Sequence, residues 1–257
     1  MAGLPDILAV YVLVFFRVAG LMLGAPLFGS ANIPKRVKVL LSLVLAWGLS
    51  ANVAMPAIPK SSWVLALGIG GELLFGWAIG MALSLTFIAV TWAGEIIGQQ
   101  MGINLGETFD PTFGKNSTLI GDMYFMLTLV VFLAMGGHRH MIQGISDSLV
   151  HLPLLSVGIN SNVLKLMAGL LNSSTSLAMR IAAPMLLTML VVDLALGFIG
   201  KTMPQLNVMS TGTSLKSVVG IGVLLATLIA TSSTVQVGLV ESMDNIRAVW
   251  RGALGAT

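Results

Sequence analysis

The apolar runs of this sequence do not match the thickness of a membrane, and that mismatch limits what the chain can fold into. Residues 37–53 hold about 15 apolar or small residues, which as a helix reach only about 22 Å. Trp63 to Ala93 is one apolar run of about 31 residues, or about 46 Å of helix. A hydrocarbon core is about 30 Å thick. One run is too short to span it and the other too long, even when tilted. The solvent is nonetheless lipid. Hydrophobic residues make up 56% of the 257 and charged residues 9%, against about 25% charged in a soluble domain. Segments of such unequal length are tolerated when their polar groups are buried in protein or line water. The sequence therefore predicts an all-α membrane protein built of bent helical hairpins of unequal length.

Punctuation along the chain supports that reading. The first run, Ile7 to Phe28, carries Arg17 near its middle. It has no basic segment ahead of it, so it reads as a retained helix rather than a cleaved signal. Asn32-Ile33-Pro34 ends it, and Lys35, Arg36 and Lys38 follow. The positive-inside rule places this basic connection in the cytoplasm and the N-terminus outside. After a rigid Met55 to Pro59 linker, the long third run holds Glu72, then Gly76, Gly80 and Ser84 at four-residue intervals. A further short run covers Leu119 to Met135, and Gly136 to His140 reads as a turn. Met141 to Leu155 reads as an amphipathic helix. A helix starting near Asn160 leads into the run Leu177 to Ile199, with Arg180, Pro184 and Asp193 inside it. A polar break from Lys201 to Ser214, a last apolar run to Val240 and a short polar tail complete the chain.

Gly94, Gly98, Gly102 and Gly106 form a stripe with the same four-residue interval. Each glycine costs about 1 kcal/mol of helix stability relative to alanine. The return is a groove that another backbone can enter, as in membrane helix packing. Gly94, Gly98 and Gly102, with Gln99 and Gln100 beside them, are therefore expected to pack against another subunit, on a helix running from about Phe75 to Gly106. Pro111 pushes Asp110 out of the helical region and ends that helix. Residues 106–118 form a constrained polar loop whose backbone cannot face lipid unpaired. Ionisable side chains in the middle of apolar runs are costly and usually paired or functional. Arg17, Glu72 and Asp193 are accordingly expected to be buried, with Glu72 and Arg180 able instead to snorkel to the interface.

Catalytic chemistry has no foothold here. Cysteine is absent, the H-x-H pair His138 and His140 has nothing nearby to complete a metal site, and no phosphate-binding loop or nucleophile elbow occurs. No catalytic, metal or cofactor-binding residue is expected, and the small net charge of +3 gives no reason to expect nucleic acid. A secondary transporter with broken helices and midplane charges remains an alternative, although no internal repeat is visible.

Several stretches carry a resemblance. Arg17-Val18-Ala19-Gly20, Ala25-Pro26-Leu27-Phe28-Gly29, Ile33-Pro34-Lys35-Arg36-Val37, Gly94-Glu95-Ile96-Ile97-Gly98-Gln99-Gln100-Met101-Gly102, Asp110-Pro111, Gly136-Gly137-His138, Asp193-Leu194-Ala195-Leu196-Gly197, Pro204-Gln205-Leu206-Asn207-Val208 and Leu215-Lys216 occur in one order along nearly the whole chain. As an ordered set they resemble the FliR family of flagellar biosynthetic proteins and their type III secretion counterparts. The resemblance implies a single export-gate domain over residues 1–257, a FliP-like part to about residue 175 followed by a FliQ-like part. It implies a hetero-oligomeric pore with FliP and FliQ in the bacterial inner membrane, at the flagellar basal body. FlhB would sit at the cytoplasmic entrance, and FliE and the rod on the periplasmic side. Unfolded export substrates would pass through the pore, and lipid would surround it. The resemblance further implies a pore plug at Gly106, Thr108, Phe109, Asp110, Pro111, Phe113 and Gly114, with Phe109 and Phe113 as occluding side chains. Pro204, Gln205, Asn207 and Lys216 would contact partners.

Overall fold

The computed structural model describes residues 4–29, 33–51, 53, 56, 59, 61–103, 118–155, 161–203 and 208–254. Among them are seven helices and no strand: α1 (Leu4–Gly24), α2 (Lys35–Ser50), α3 (Ser62–Gln100), α4 (Leu119–Ala134), α5 (Gly137–His151), α6 (Ser161–Thr202) and α7 (Val208–Leu254). The predicted inequality of length is present. By rise per residue, α2 at 16 residues is about 24 Å long and α7 at 47 residues about 70 Å. Among the described residues four segments are long and apolar enough to cross a membrane: Ile7–Gly24, Ser62–Gln100, Ala168–Thr202 and Thr211–Asn245. The bent pair α4 and α5 would make a fifth.

Helix ends follow local chemistry. Thr118 caps α4, its Oγ1 accepting the Gly121 N–H at 3.1 Å, which satisfies one of the donors a helix N-terminus leaves open. Gly136 stops the chain between α4 and α5 by taking a left-handed φ of 69°, a conformation that costs glycine nothing. The predicted turn is thus confined to residues 135 and 136, and His138 to His140 lie in the first turn of α5. Asn172 to Thr175 continues α6, and the polar tail beyond Val240 is helical to Leu254. Neither stretch contains proline, and most of these residues are acceptable helix formers. Pro184 sits inside α6, where it removes one intrahelical bond. The Thr188 hydroxyl donates back to the Pro184 carbonyl at 2.8 Å.

The chain divides into two compact units. The first comprises residues 1–85, 133–171 and 239–257, and the second residues 86–132 and 172–238. In the first unit α1 packs on α2 and on the N-terminal half of α3. Val10, Leu13, Val14, Arg17 and Leu21 line the buried face of α1, the three-and-four spacing of a helix stripe. Small residues set the α1–α3 approach. A Cβ on Gly24 would lie 2.5 Å from the Trp77 carbonyl, and one on Gly80 2.7 Å from the Ala25 nitrogen. Gly20 and Gly76 meet the opposing backbone in the same way, at Leu73 and Arg17. Ser84 closes the seam, donating to the Gly24 carbonyl at 2.5 Å. This is close packing by small residues at four-residue intervals on both helices.

In the second unit the C-terminal half of α3 packs on α4. Phe87 stacks edge-on against Phe125 and Phe132, with centroids 5.7 and 5.6 Å apart. Gly94 and Gly121 bring the two backbones together: a Cβ on Gly94 would sit 2.9 Å from the Gly121 Cα and the Ile120 carbonyl oxygen.

Candidate functional site

Two polar centres organise the chain, one in each unit. In the first unit Arg17 and Glu72 form an ion pair at 2.5 Å between Nε and Oε2, their side chains 0% and 1% exposed. Burying two charges costs several kcal/mol each unless further hydrogen bonds compensate, and here most of the remaining capacity is used. Arg17 Nη1 donates to the Ser148 carbonyl at 3.1 Å, to Ser148 Oγ at 3.3 Å and to the Leu152 carbonyl at 3.3 Å. Ser148 and Leu152 lie at the C-terminal end of α5, where a helix leaves carbonyls unpaired and favours a cation. The guanidinium carbon also stands 5.0 Å from the Phe75 ring centre, within cation–π range. Arg17 Nη2 is buried with no hydrogen-bond partner.

Glu72 uses its other oxygen on the chain leaving α5. Oε1 accepts the Leu155 N–H at 2.9 Å. Leu155 has φ of 68°, an unusual conformation for a side chain of this bulk. Its side chain reaches the open face left by Gly68, one turn from Glu72 on α3. One ion pair thus ties α1, α3 and the end of α5 together. Glu72 does not snorkel to an interface, because the N–H of Leu155 and the guanidinium of Arg17 supply its solvation inside.

The second centre lies at the end of the glycine stripe. The helix stops at Gln100 rather than continuing to Gly106. Gly102 takes φ of 74°, the Ile103 N–H bonds the Gly98 carbonyl at 3.3 Å and the Gly102 N–H bonds the Gln99 carbonyl at 3.1 Å. Those two bonds with a left-handed glycine make the Schellman ending. Gly102 is thus a stop signal, and Gly94 is occupied by α4 of the same chain. Gly98 is buried, Gln99 exposed and Gln100 half-buried. Just before the stop, Met101 is 0% exposed and fills the notch at Gly220 of α7. Its carbonyl accepts the Ser217 hydroxyl at 2.9 Å.

Asp193 is not buried within this chain. Its side chain is 46% exposed and pairs with Lys216, itself 24% exposed, at 2.5 Å. Leu190, Val191 and Leu194 beside it on α6 are exposed as well, so its place in a hydrophobic run does not bury it. Lys216, expected to contact a partner, has its ammonium on this carboxylate within the chain. Arg180 is exposed on α6. Gly106, Thr108, Phe109, Asp110, Pro111, Phe113 and Gly114 lie outside the described residues, as do Pro204, Gln205 and Asn207. The Arg17–Glu72 centre and the Met101 seat each join residues more than fifty positions apart. No local signal links such partners, although Arg17 and Glu72 each stand out as charges in apolar runs.

These arrangements define a polytopic helical membrane protein whose buried polar groups hold helices and loop ends together. The chain belongs to the bacterial export proteins, family 1, matching that family over residues 8–241. It is a component of protein export and not an enzyme. It is 30% identical to the flagellar biosynthetic protein FliR of Escherichia coli K12 over 82% of this chain and 80% of that one. It is 28% identical to the protein of the same name from Aquifex aeolicus over 87% and 86% of the two chains. With that of Bacillus subtilis it shares 28% identity over 88% of each.

Proposed function

We propose that this chain is the FliR subunit of the flagellar type III export gate. With FliP and FliQ it builds the pore through which unfolded rod, hook and filament proteins cross the bacterial inner membrane. The observation that carries this reading is the alignment with proteins named FliR over about four-fifths of each chain. The division into a FliP-like part to about residue 175 and a FliQ-like part beyond it, FlhB at the cytoplasmic entrance, and FliE and the rod on the periplasmic side belong to the same proposal.

Two physical features support it. Helices α6 and α7 carry large apolar side chains exposed along much of their length, among them Leu187, Leu190, Leu194, Phe198, Leu225 and Ile229. Lipid alone would cover only about 30 Å of such a helix, and by rise per residue α6 extends to about 63 Å, so neighbouring subunits are the natural cover for the rest. In addition, the Schellman stop at Gly102 ends α3 just ahead of the segment assigned to the plug. Residues 106–118 act in this proposal as the plug of the closed pore, with Phe109 and Phe113 occluding it.

Co-expression of tagged chain with FliP and FliQ tests the assembly: a stable hetero-oligomer in detergent is expected, and purification of this chain alone would reject it. A short deletion within Phe109 to Gly114 tests the plug. The assembled deletion complex is expected to leak small ions in liposomes, and a complex as tight as the unaltered one would remove the plug assignment.

A further inference from the structure

Helices α1 and α2 pack as an antiparallel pair, so the start of α1 meets the end of α2. The Tyr11 hydroxyl donates to the Leu43 carbonyl at 3.1 Å. Between these two helix ends lies a cavity of about 980 Å³, lined by Ile7, Leu8 and Tyr11 of α1 and by Trp47, Gly48 and Ser50 of α2. Its size is that of a ligand pocket. Ile7, Leu8 and Trp47 are exposed, so it opens outward. The two side-chain hydroxyls in the lining are already used inside the chain: Tyr11 donates to Leu43, and Ser50 Oγ donates to the Trp47 carbonyl at 3.0 Å. The site therefore selects by shape and apolar character rather than by directional bonds. Gly48 has no packing reason to be a glycine. In a helix it is less favourable than alanine, its φ is not positive, and a Cβ there would meet nothing within 4 Å. Its bare backbone leaves open space in the α2 wall of the cavity. Position in the membrane completes the picture. Ile7 begins a segment able to span the bilayer, whereas α2, about 24 Å long by its 16 residues, is shorter than a hydrocarbon core of about 30 Å. Where a short helix runs out beside a longer one, lipid fills the difference. Trp47 stands exposed at that end, and tryptophan, with an apolar body and one donor, collects at membrane interfaces.

We infer that this cavity is a lipid site: it holds an acyl chain of a membrane phospholipid, which enters past Ile7 and Trp47 and lies against Gly48. Lys35, Arg36 and Lys38 mark the opposite end of the helix pair, so the lipid belongs to the leaflet away from the cytoplasm. A partner protein suits the cavity less well. Helices associate in membranes through small residues and interhelical hydrogen bonds, and here both hydroxyls already donate within the chain. The inference does not depend on the pore reading.

The test uses the full chain, with whatever subunits co-purify, in detergent mixed with phospholipid. A phospholipid carrying a diazirine near the end of one acyl chain is the probe, and its share of the total lipid is raised stepwise. After illumination the labelled peptides are located by mass spectrometry. Labelling at Ile7 to Tyr11 and at Trp47 to Ser50 is expected to saturate, whereas labelling elsewhere on the exposed apolar surface rises in proportion to the probe. Gly48→Phe puts a ring into the open space and is expected to lower labelling at the cavity several-fold, with the rest unchanged. Labelling at the cavity that never saturates would overturn the site. So would full labelling of a Gly48→Phe chain whose melting temperature is unaltered. Should Gly48→Phe unfold the chain, saturation in the unaltered protein decides alone. A photoreactive amino acid placed at Leu8 separates the remaining occupant: cross-linking to lipid supports the inference, and cross-linking in high yield to a second polypeptide overturns it in favour of a protein partner.

Discussion

Arg17 on α1 and Glu72 on α3 are joined at 2.5 Å in the interior of the first unit, 55 residues apart in the chain. Each carries a second duty toward the end of α5, so neither can be removed without stranding more than its ion-pair partner. Breaking a buried pair from one side costs about 3–5 kcal/mol, because a charge is left uncompensated. Arg17→Leu and Glu72→Leu are both expected to lower thermal stability in detergent by an amount of that order. Glu72→Gln is expected to fall between these and the unaltered chain, since its amide oxygen can still accept the Leu155 N–H. Equal melting temperatures for Glu72→Gln and Glu72→Leu would show that the Leu155 bond contributes nothing.

This centre marks the boundary of what can be read from sequence. Arg17 and Glu72 are conspicuous singly, as charges in apolar runs, and their burial follows from the cost of leaving them in lipid. Their pairing depends on how α1 crosses α3, which the Gly20, Gly24, Gly76 and Gly80 seam decides by tertiary packing. The small-residue repeat at Gly76, Gly80 and Ser84 is visible in the sequence; the partner helix is not. The stripe from Gly94 to Gly106 reads as one groove because its spacing is regular. In the fold, Gly94 receives α4 and Gly102 ends the helix. Spacing alone cannot separate a glycine that admits a neighbour from one that adopts positive φ.

The glycine seam gives an internally controlled prediction. Gly70 lies on the same helix as Gly76 and has open space where a Cβ would go, whereas Gly76 faces the Arg17 backbone. Alanine at an unobstructed helical glycine gains up to about 1 kcal/mol from propensity. Gly70→Ala is therefore expected to be neutral or stabilising. Gly76→Ala is expected to be destabilising, since the added carbon meets backbone that cannot rotate away. Thermal unfolding in detergent checks both, and equal shifts would mean that α1 does not approach α3 at Gly76.

The Asp193–Lys216 pair predicts a reciprocal effect. Both side chains are partly exposed within the chain, and each lies on a helix whose apolar face needs cover. Asp193→Lys or Lys216→Asp alone sets like charges together and is expected to reduce complex yield and export. The double exchange restores opposite charges and is expected to recover most of the loss. Failure of the double variant, with both singles impaired, would show that each residue serves a different neighbour.

The orientation of α2 can be tested without altering the fold. Lys35 and Arg36 are exposed at its start, with Lys38 a turn along, and such a cluster is retained in the cytoplasm during insertion. Helix α2 itself is about 24 Å long by its 16 residues, shorter than the hydrocarbon core, so its far end need not reach the opposite surface. Orientation is then carried by the charges rather than by length. A single cysteine at Lys35, in a chain with none of its own, reports its side directly. Lys35→Cys is expected to resist a small membrane-impermeant thiol reagent in intact cells and to react once the inner membrane is opened. Leaving Arg36 and Lys38 in place preserves most of the charge that sets the topology. Reaction in intact cells would place this connection on the outer side, and assembly rather than the basic cluster would then determine where α2 lies.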